Sequence, residues 1–122
     1  MNAKIRKMLA VMVGVLCSLT AMFALAGVWS GRTLINKITI QADQTVIVFN
    51  KSGTWKNPDL CDSDKKIVLL PPGAKGGVLA YKEIYAALLS AHLADRKIRA
   101  FLDGCASLGN KTFPALTRVS VQ

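Results

Sequence analysis

The chain is poor in groups that do covalent chemistry. It has one histidine, His92, and three cysteines, of which only Cys61 and Cys105 lie beyond residue 26. That set supplies too few soft ligands for a zinc site, which takes four. No two cysteines stand in a C-x-x-C arrangement, which argues against a redox pair. No serine, cysteine or carboxylate stands at a spacing from His92 that suggests a triad, so His92 reads as a structural residue near a helix end. Acids are scarce, seven against sixteen lysines and arginines. Asp59, Asp62 and Asp64 alternate in one loop, but the central glycine and distal glutamate of a calcium loop are missing and Cys61 interrupts the run, so these read as solvated loop acids. Asp103, beside Gly104, reads as a turn former. There is no internal repeat and no low-complexity segment. No cofactor and no catalysis are expected.

What is present starts at the N-terminus. Lys4, Arg6 and Lys7 precede an uncharged run from Met8 to Phe23, and Ala24-Leu25-Ala26 closes it with small residues where a signal peptidase reads. Basic start, apolar middle and A-x-A end are the pattern of a secretory signal peptide over residues 1–26. Met8 to Ala26 is just long enough to span a bilayer, but it holds Gly14, Ser18 and Thr20 and lacks basic stop-transfer flanks. Cleavage before Gly27 is therefore expected, with no membrane span afterwards and a secreted or periplasmic product. Cys17 follows Leu16 rather than a small residue, which argues against a lipoprotein.

Residues 27–122 form one small domain. Without Lys4, Arg6 and Lys7, thirteen bases remain against seven acids, a net charge near +6. Excess base in an exported protein points to acidic partners such as anionic glycans or lipid head groups, or to solubility alone. Only Arg96, Lys97 and Arg99 cluster, a poor footprint for nucleic acid. An even cysteine count in an exported domain reads as one disulfide, Cys61 to Cys105. Closing so long a loop contributes up to about 4 kcal/mol.

Val28-Trp29-Ser30-Gly31 reads as a lead-in. Thr33 to Ile40 alternates as a half-buried strand, and Thr45 to Phe49 is β-branched and aromatic and pairs back as a hairpin. Residues 50–64 read as a long loop. Lys66 to Leu70 is a third strand stopped by Pro71-Pro72, and Gly73 to Gly77 a connector. Tyr81, Ile84, Tyr85, Leu88, Ala91 and His92 share one face of a helix from Tyr81 to about Asp95. Lys97 to Leu102 alternates as a fourth strand, residues 106–114 read as a loop, and Leu116 to Val121 is a fifth strand.

The chain is thus mainly β with one helix, in the order β-β-β-α-β-β. That is the element string of the OB-fold, a five-stranded Greek-key barrel with its helix between the third and fourth strands. A barrel also leaves a short chain few free strand edges. An open α+β sandwich with the helix on one face is the competing architecture.

With its signal segment, strand hairpin, disulfide-bearing loop, the Tyr-led helix Tyr81 to Leu89, the strand Lys97-Ile98-Arg99 and the run Trp29-Ser30-Gly31, the chain resembles the small OB-fold B subunits of AB5 toxins, of the subtilase-cytotoxin and typhoid-toxin type. The chain is shorter than those subunits and has one possible disulfide. The resemblance implies a homopentameric, glycan-binding module without catalysis, whose helices line a central pore. The small residues Ala86, Ala87, Ser90 and Ala94 would suit close approach there, or form a lightly packed, solvated face. It also implies a role for Ser30, which stands where the toxin group's glycan pocket uses a serine.

The remaining candidates come from the residues themselves. Trp55, in a loop with Lys56, Asn57 and Asp59, would stack on a sugar or base while its polar neighbours bind hydroxyls, or would cover the barrel mouth beside Cys61. Arg99 and Phe101 point to one side of their strand, an arrangement OB-folds use for oligosaccharides or single strands, unless Phe101 packs under the helix. Asn50-Lys51-Ser52 and Asn110-Lys111-Thr112 are glycosylation sequons, of use only in a eukaryotic pathway, whereas the short lysine-rich leader looks bacterial. The expected function is a secreted or periplasmic binding domain for a glycan or other polar ligand through Ser30, Trp55, Asn57, Arg99 and Phe101. The alternative is a periplasmic structural or partner-binding protein whose basic face contacts anionic envelope components.

Overall fold

The computed structural model describes residues 27–122. The expected signal peptide and Cys17 lie outside the described residues. Among the described residues, six strands and one helix are formed. They are β1 (Val28–Trp29), β2 (Ile35–Ile40), β3 (Val46–Asn50), β4 (Lys66–Leu69), α1 (Tyr81–Leu93), β5 (Ile98–Leu108) and β6 (Lys111–Val121). The strands make one mixed sheet in the order β1-β5-β6-β4-β3-β2. All neighbours are antiparallel except β4 and β6, which run parallel at Val68 and Ala115.

The mainly β class with a single helix between the third and fourth long strands is as the sequence predicts. The expected five-stranded closed barrel is not: the sheet has six strands, with β1 and β2 at its two ends. The physical reason lies in residues 28–34. Val28 and Trp29, expected as a lead-in, pair with Leu102 and Phe101 of β5. At the next residue the ladder breaks, because the Ala100 N–H donates to the Ser30 hydroxyl (2.9 Å) rather than to a strand carbonyl. Thr33 then returns to β5, exchanging two backbone hydrogen bonds with Ile98 (2.9 and 2.8 Å). Only from Ile35 onward does the chain pair with β3. One run of sequence thus supplies both ends of the strand order.

The second departure is the β5–β6 hairpin. The expected loop over residues 106–114 is mostly strand: Leu108 pairs with Lys111 around a two-residue turn at Gly109-Asn110, with Gly109 at φ +62°. A glycine with positive φ in a two-residue connection matches the strand twist. Pro114, which cannot donate to a ladder, sits opposite Cys105 beside a register irregularity, next to Gly104 at φ +77°.

Alternation decides the packing. Val46, Val48, Ile67, Leu69, Ile98, Leu102 and Leu116 point to one face of the sheet, where Ile84, Leu88 and Ala91 of α1 cover them. Val68, Ala106 and Phe113 point to the other face and form a smaller cluster. The helix ends two residues before the expected Asp95. Asp95 takes φ +51°, its N–H and that of Arg96 reach back to His92 and Ala91 carbonyls, and the chain turns off in a Schellman cap. Among the described residues no helix is long and apolar enough to cross a membrane.

The disulfide forms as predicted, Cys61 to Cys105, with Cα atoms 5.7 Å apart. It belongs to a wider clamp of the 51–65 loop on the β5–β6 hairpin. Asp59 accepts from the Gly104 N–H (2.7 Å), Asp62 accepts from the Thr112 N–H (2.8 Å), and the Ser63 N–H donates to the Thr112 carbonyl (3.1 Å). These loop acids therefore cap backbone donors.

Candidate functional site

The clamped loop stands opposite the irregular segment that follows β1, and a groove runs between them. It has a volume of about 210 Å³ and is lined by Ser30, Gly31, Arg32 and Thr33 on one side and Asn50, Ser52, Thr54, Trp55 and Lys56 on the other. The residues that line it are polar apart from Gly31 and Trp55, and neither wall is regular secondary structure over most of its length. A segment out of the ladder has backbone groups to offer a ligand, which a paired strand does not.

The walls are held from within. Asn50, at the end of β3, is buried and its amide ties the turn together: Nδ2 donates to the Thr54 carbonyl (2.8 Å), and Oδ1 accepts from the Ser52 N–H (2.9 Å) and from the Thr33 hydroxyl. That last bond crosses the groove's base. Ser30 is 4 % exposed; its hydroxyl donates to the Gly31 carbonyl (2.9 Å) and accepts from Ala100. Trp55 is also 4 % exposed, with its indole N–H on the Val48 carbonyl (3.2 Å). It joins the main core while its edge still lines the groove. Of its two readings from sequence, the structure gives the buried one a full set of partners. Lys56 reaches over the groove to the Trp29 carbonyl (3.3 Å).

Beside this groove lies an aromatic and cationic row on the outer surface of β1, β5 and β6. The Trp29 and Phe101 rings meet edge to face with centroids 5.2 Å apart. The Arg99 guanidinium lies 5.6 Å from the Trp29 ring and that of Arg118 lies 5.2 Å from the Phe101 ring. Phe101 thus faces outward rather than packing under the helix. Arg99 also donates through Nε to the Ser30 carbonyl (3.4 Å), which joins the row to the groove. Glycine at position 27 makes room for this, since a Cβ there would come within 2.5 Å of the Phe101 ring.

The structure therefore gathers four of the five sequence-predicted ligand residues, Ser30, Trp55, Arg99 and Phe101, around one end of the sheet. Asn57 does not line the groove. Both ends of its amide are engaged by the Cys61 backbone, Nδ2 to the carbonyl (2.9 Å) and Oδ1 from the N–H (2.8 Å), so it serves the loop that carries the disulfide. Sequence reasoning missed Trp29, Thr33, Asn50 and Arg118. No local signal marks Trp29; only its pairing with Phe101 of β5 sets it in the row.

His92 lies half-buried on α1, and its Nδ1 is buried with no hydrogen-bond partner among the described residues. Among the described residues no group of three or more potential metal ligands comes together. Tyr81 opens the helix, donates its hydroxyl to the Gln44 carbonyl and stacks on Tyr85 at 6.3 Å. Burial, then Tyr85 and Asp43, raise its pKa above the usual 10. It lies in the core rather than in the groove.

No family model, no curated protein and no solved structure matches the chain.

Proposed function

We propose that residues 27–122 are an exported, non-catalytic binding domain that takes a glycan or other polar ligand in the groove between Ser30 and Lys56. The observation that carries this reading is the groove itself, a hollow with the Arg32 guanidinium on one wall, the Ser52 and Thr54 hydroxyls and the Lys56 ammonium on the other, and one aromatic edge at its floor. Hydroxyl-rich ligands are held by many neutral hydrogen bonds plus contact with a ring. The Trp29–Phe101 row at its rim, with the Arg99 and Arg118 guanidinium groups over its rings, adds charged donors for a second sugar unit. On this reading residues 1–26 are the signal peptide that brings the chain to an oxidising compartment, where the Cys61–Cys105 bridge persists.

The OB-fold assignment is part of the proposal. It is supported by the parallel β4–β6 pair, by the helix lying between β4 and β5, and by residues 28–40 pairing with β5 at one end and β3 at the other. Taken as one bent strand, that run would join the two ends of the sheet.

A glycan array probed with the purified domain tests the function. Selective binding that persists at raised salt supports it. Uniform binding that salt abolishes contradicts it, because that is the signature of net charge alone. Assembly into a ring, with the exposed Ala86, Ser90 and Ala94 turned inward, is tested separately by light scattering on the unreduced protein; a pentamer supports it and a monomer refutes it.

A further inference from the structure

A second feature lies away from the groove, on the outer face of β2, β3, β4 and β6. Register places Lys37 opposite Phe49 and Phe49 opposite Lys66. The parallel β4–β6 pairing then sets Lys66 beside Phe113. The result is a row that alternates ammonium and phenyl across four strands. Lys37 Nζ lies 5.1 Å from the Phe49 ring centroid, and Lys66 Nζ lies 5.8 Å from Phe49 and 4.8 Å from Phe113. Lys65 and Lys111 join the row around a hollow of about 290 Å³, whose other lining residues are Phe49, Ser63, Lys66 and Phe113. Among the described residues no carboxylate lines it.

Two ordinary explanations fall short. Lysines often protect an exposed sheet edge from pairing with another chain, and Lys37 on the terminal strand β2 fits that role. Lys66 does not, because β4 lies inside the sheet between β3 and β6. General solubility requires no convergence, yet here ammonium groups from two strands and a loop, those of Lys66, Lys111 and Lys65, meet at one hollow. Gathering like charges opposes folding unless something offsets the repulsion.

We infer that this hollow is a second binding site, for an anionic polysaccharide, a chain of sugars bearing sulfate, phosphate or carboxylate groups. The rings hold the Lys37 and Lys66 ammonium groups in place through their faces, so less side-chain freedom is lost when an anion binds. The same contacts argue against nucleic acid. Base stacking needs open ring faces, whereas Phe113 is 5 % exposed and Lys66 lies over both rings. A bilayer surface fits less well too, because stable interfacial binding takes apolar side chains that insert. The most exposed large apolar residues, Leu60, Leu79 and Leu93, are not among those that line the hollow. A flexible charged polysaccharide brings several anions to one point and needs neither stacking nor insertion.

The test uses the disulfide-intact protein and heparin as a sulfated probe. The variant K37A/K65A/K111A removes two exposed lysines that line the hollow and Lys37 at the end of its row, and leaves Lys66 in place. The control K75A/K82A/K97A removes the same charge from other exposed positions. The hollow variant is expected to bind heparin at least about ten-fold more weakly than the control, three exposed ion pairs being lost at once. Both should melt at the wild-type temperature within a few degrees. Equal weakening in the two variants overturns the site, since net charge would then account for binding. Binding of phosphatidylglycerol vesicles or of an oligothymidine strand, in preference to heparin, overturns the choice of partner. The site stands independently of the Ser30–Lys56 groove: Lys56→Ala should weaken heparin binding no more than the control variant does.

Discussion

Ser30 and Ala100 are joined by two hydrogen bonds of different kinds. The Ser30 N–H donates to the Ala100 carbonyl at 2.7 Å, as in any antiparallel pair, but the Ala100 N–H returns to the Ser30 side chain at 2.9 Å. The hydroxyl thus stands in for a strand carbonyl. The Ser30 carbonyl is left to accept from Arg99, and the chain leaves the sheet to form one wall of the groove. A single serine both ends β1 and opens the candidate site.

Ser30→Ala should therefore orphan the buried Ala100 N–H. The expected loss of stability is about 1–3 kcal/mol, the penalty for an unpaired buried donor. Urea melts of the two proteins would measure it. A loss near zero would mean that the hydroxyl does not hold the strand.

The Cys61–Cys105 bridge closes a separation of 44 residues and reinforces the Asp59–Gly104 and Asp62–Thr112 contacts. Replacing both cysteines with serine should cost about 2–4 kcal/mol. That is a large share of what so small a domain commands. Thermal melts with and without reductant should show the same drop for wild type and none for the variant.

Tyr81 gives a signed pH effect. Its folded pKa is raised above 10, so the folded state keeps the phenol proton more tightly than the unfolded state does. The stabilisation it contributes is present in full below pH 10 and is lost as pH rises through the folded value. Tyr81→Phe removes the hydrogen bond to Gln44 and should cost about 1 kcal/mol at neutral pH. It should also flatten the alkaline decline in stability, which denaturant melts at several pH values above neutrality would follow.

Asp95 holds a left-handed conformation at the C-terminal cap of α1, where glycine is the favoured residue. Asp95→Gly relieves that strain and should stabilise the domain by up to about 1 kcal/mol, after allowance for the freer unfolded chain. A fall in melting temperature would contradict the cap geometry.

Much of the frame was legible in the sequence because local signals agreed with tertiary ones. The apolar spacing of Tyr81, Ile84, Leu88 and Ala91 marked the helix face, and the even pair of cysteines marked the bridge. The β5–β6 hairpin reads as a loop in the sequence because Gly104, Gly109-Asn110 and Pro114 each signal a loop when taken singly. Their sense comes from register, which only the long-range pairing of Ile98–Leu108 with Lys111–Val121 supplies. The same limit hid half of the site. Ser30, Trp55, Arg99 and Phe101 carry recognisable side chains, but Trp29 and Asn50 act through residues distant in sequence. Asn57 looked available because nothing local reveals that the Cys61 backbone engages both ends of its amide. The lysine and phenylalanine row is invisible for the same reason, its members being scattered from residue 37 to residue 113.

The central claim is that the Ser30–Lys56 groove holds the ligand. The most direct test is amide-proton NMR of the labelled domain, titrated with the best-binding glycan from the array. The groove account predicts shifts confined to Gly31, Arg32, Thr33, Ser52, Thr54, Lys56 and the Trp55 indole N–H, and lost in Lys56→Ala. Shifts centred on the Lys65–Lys66 hollow or on the exposed face of α1, with the groove silent, would contradict it.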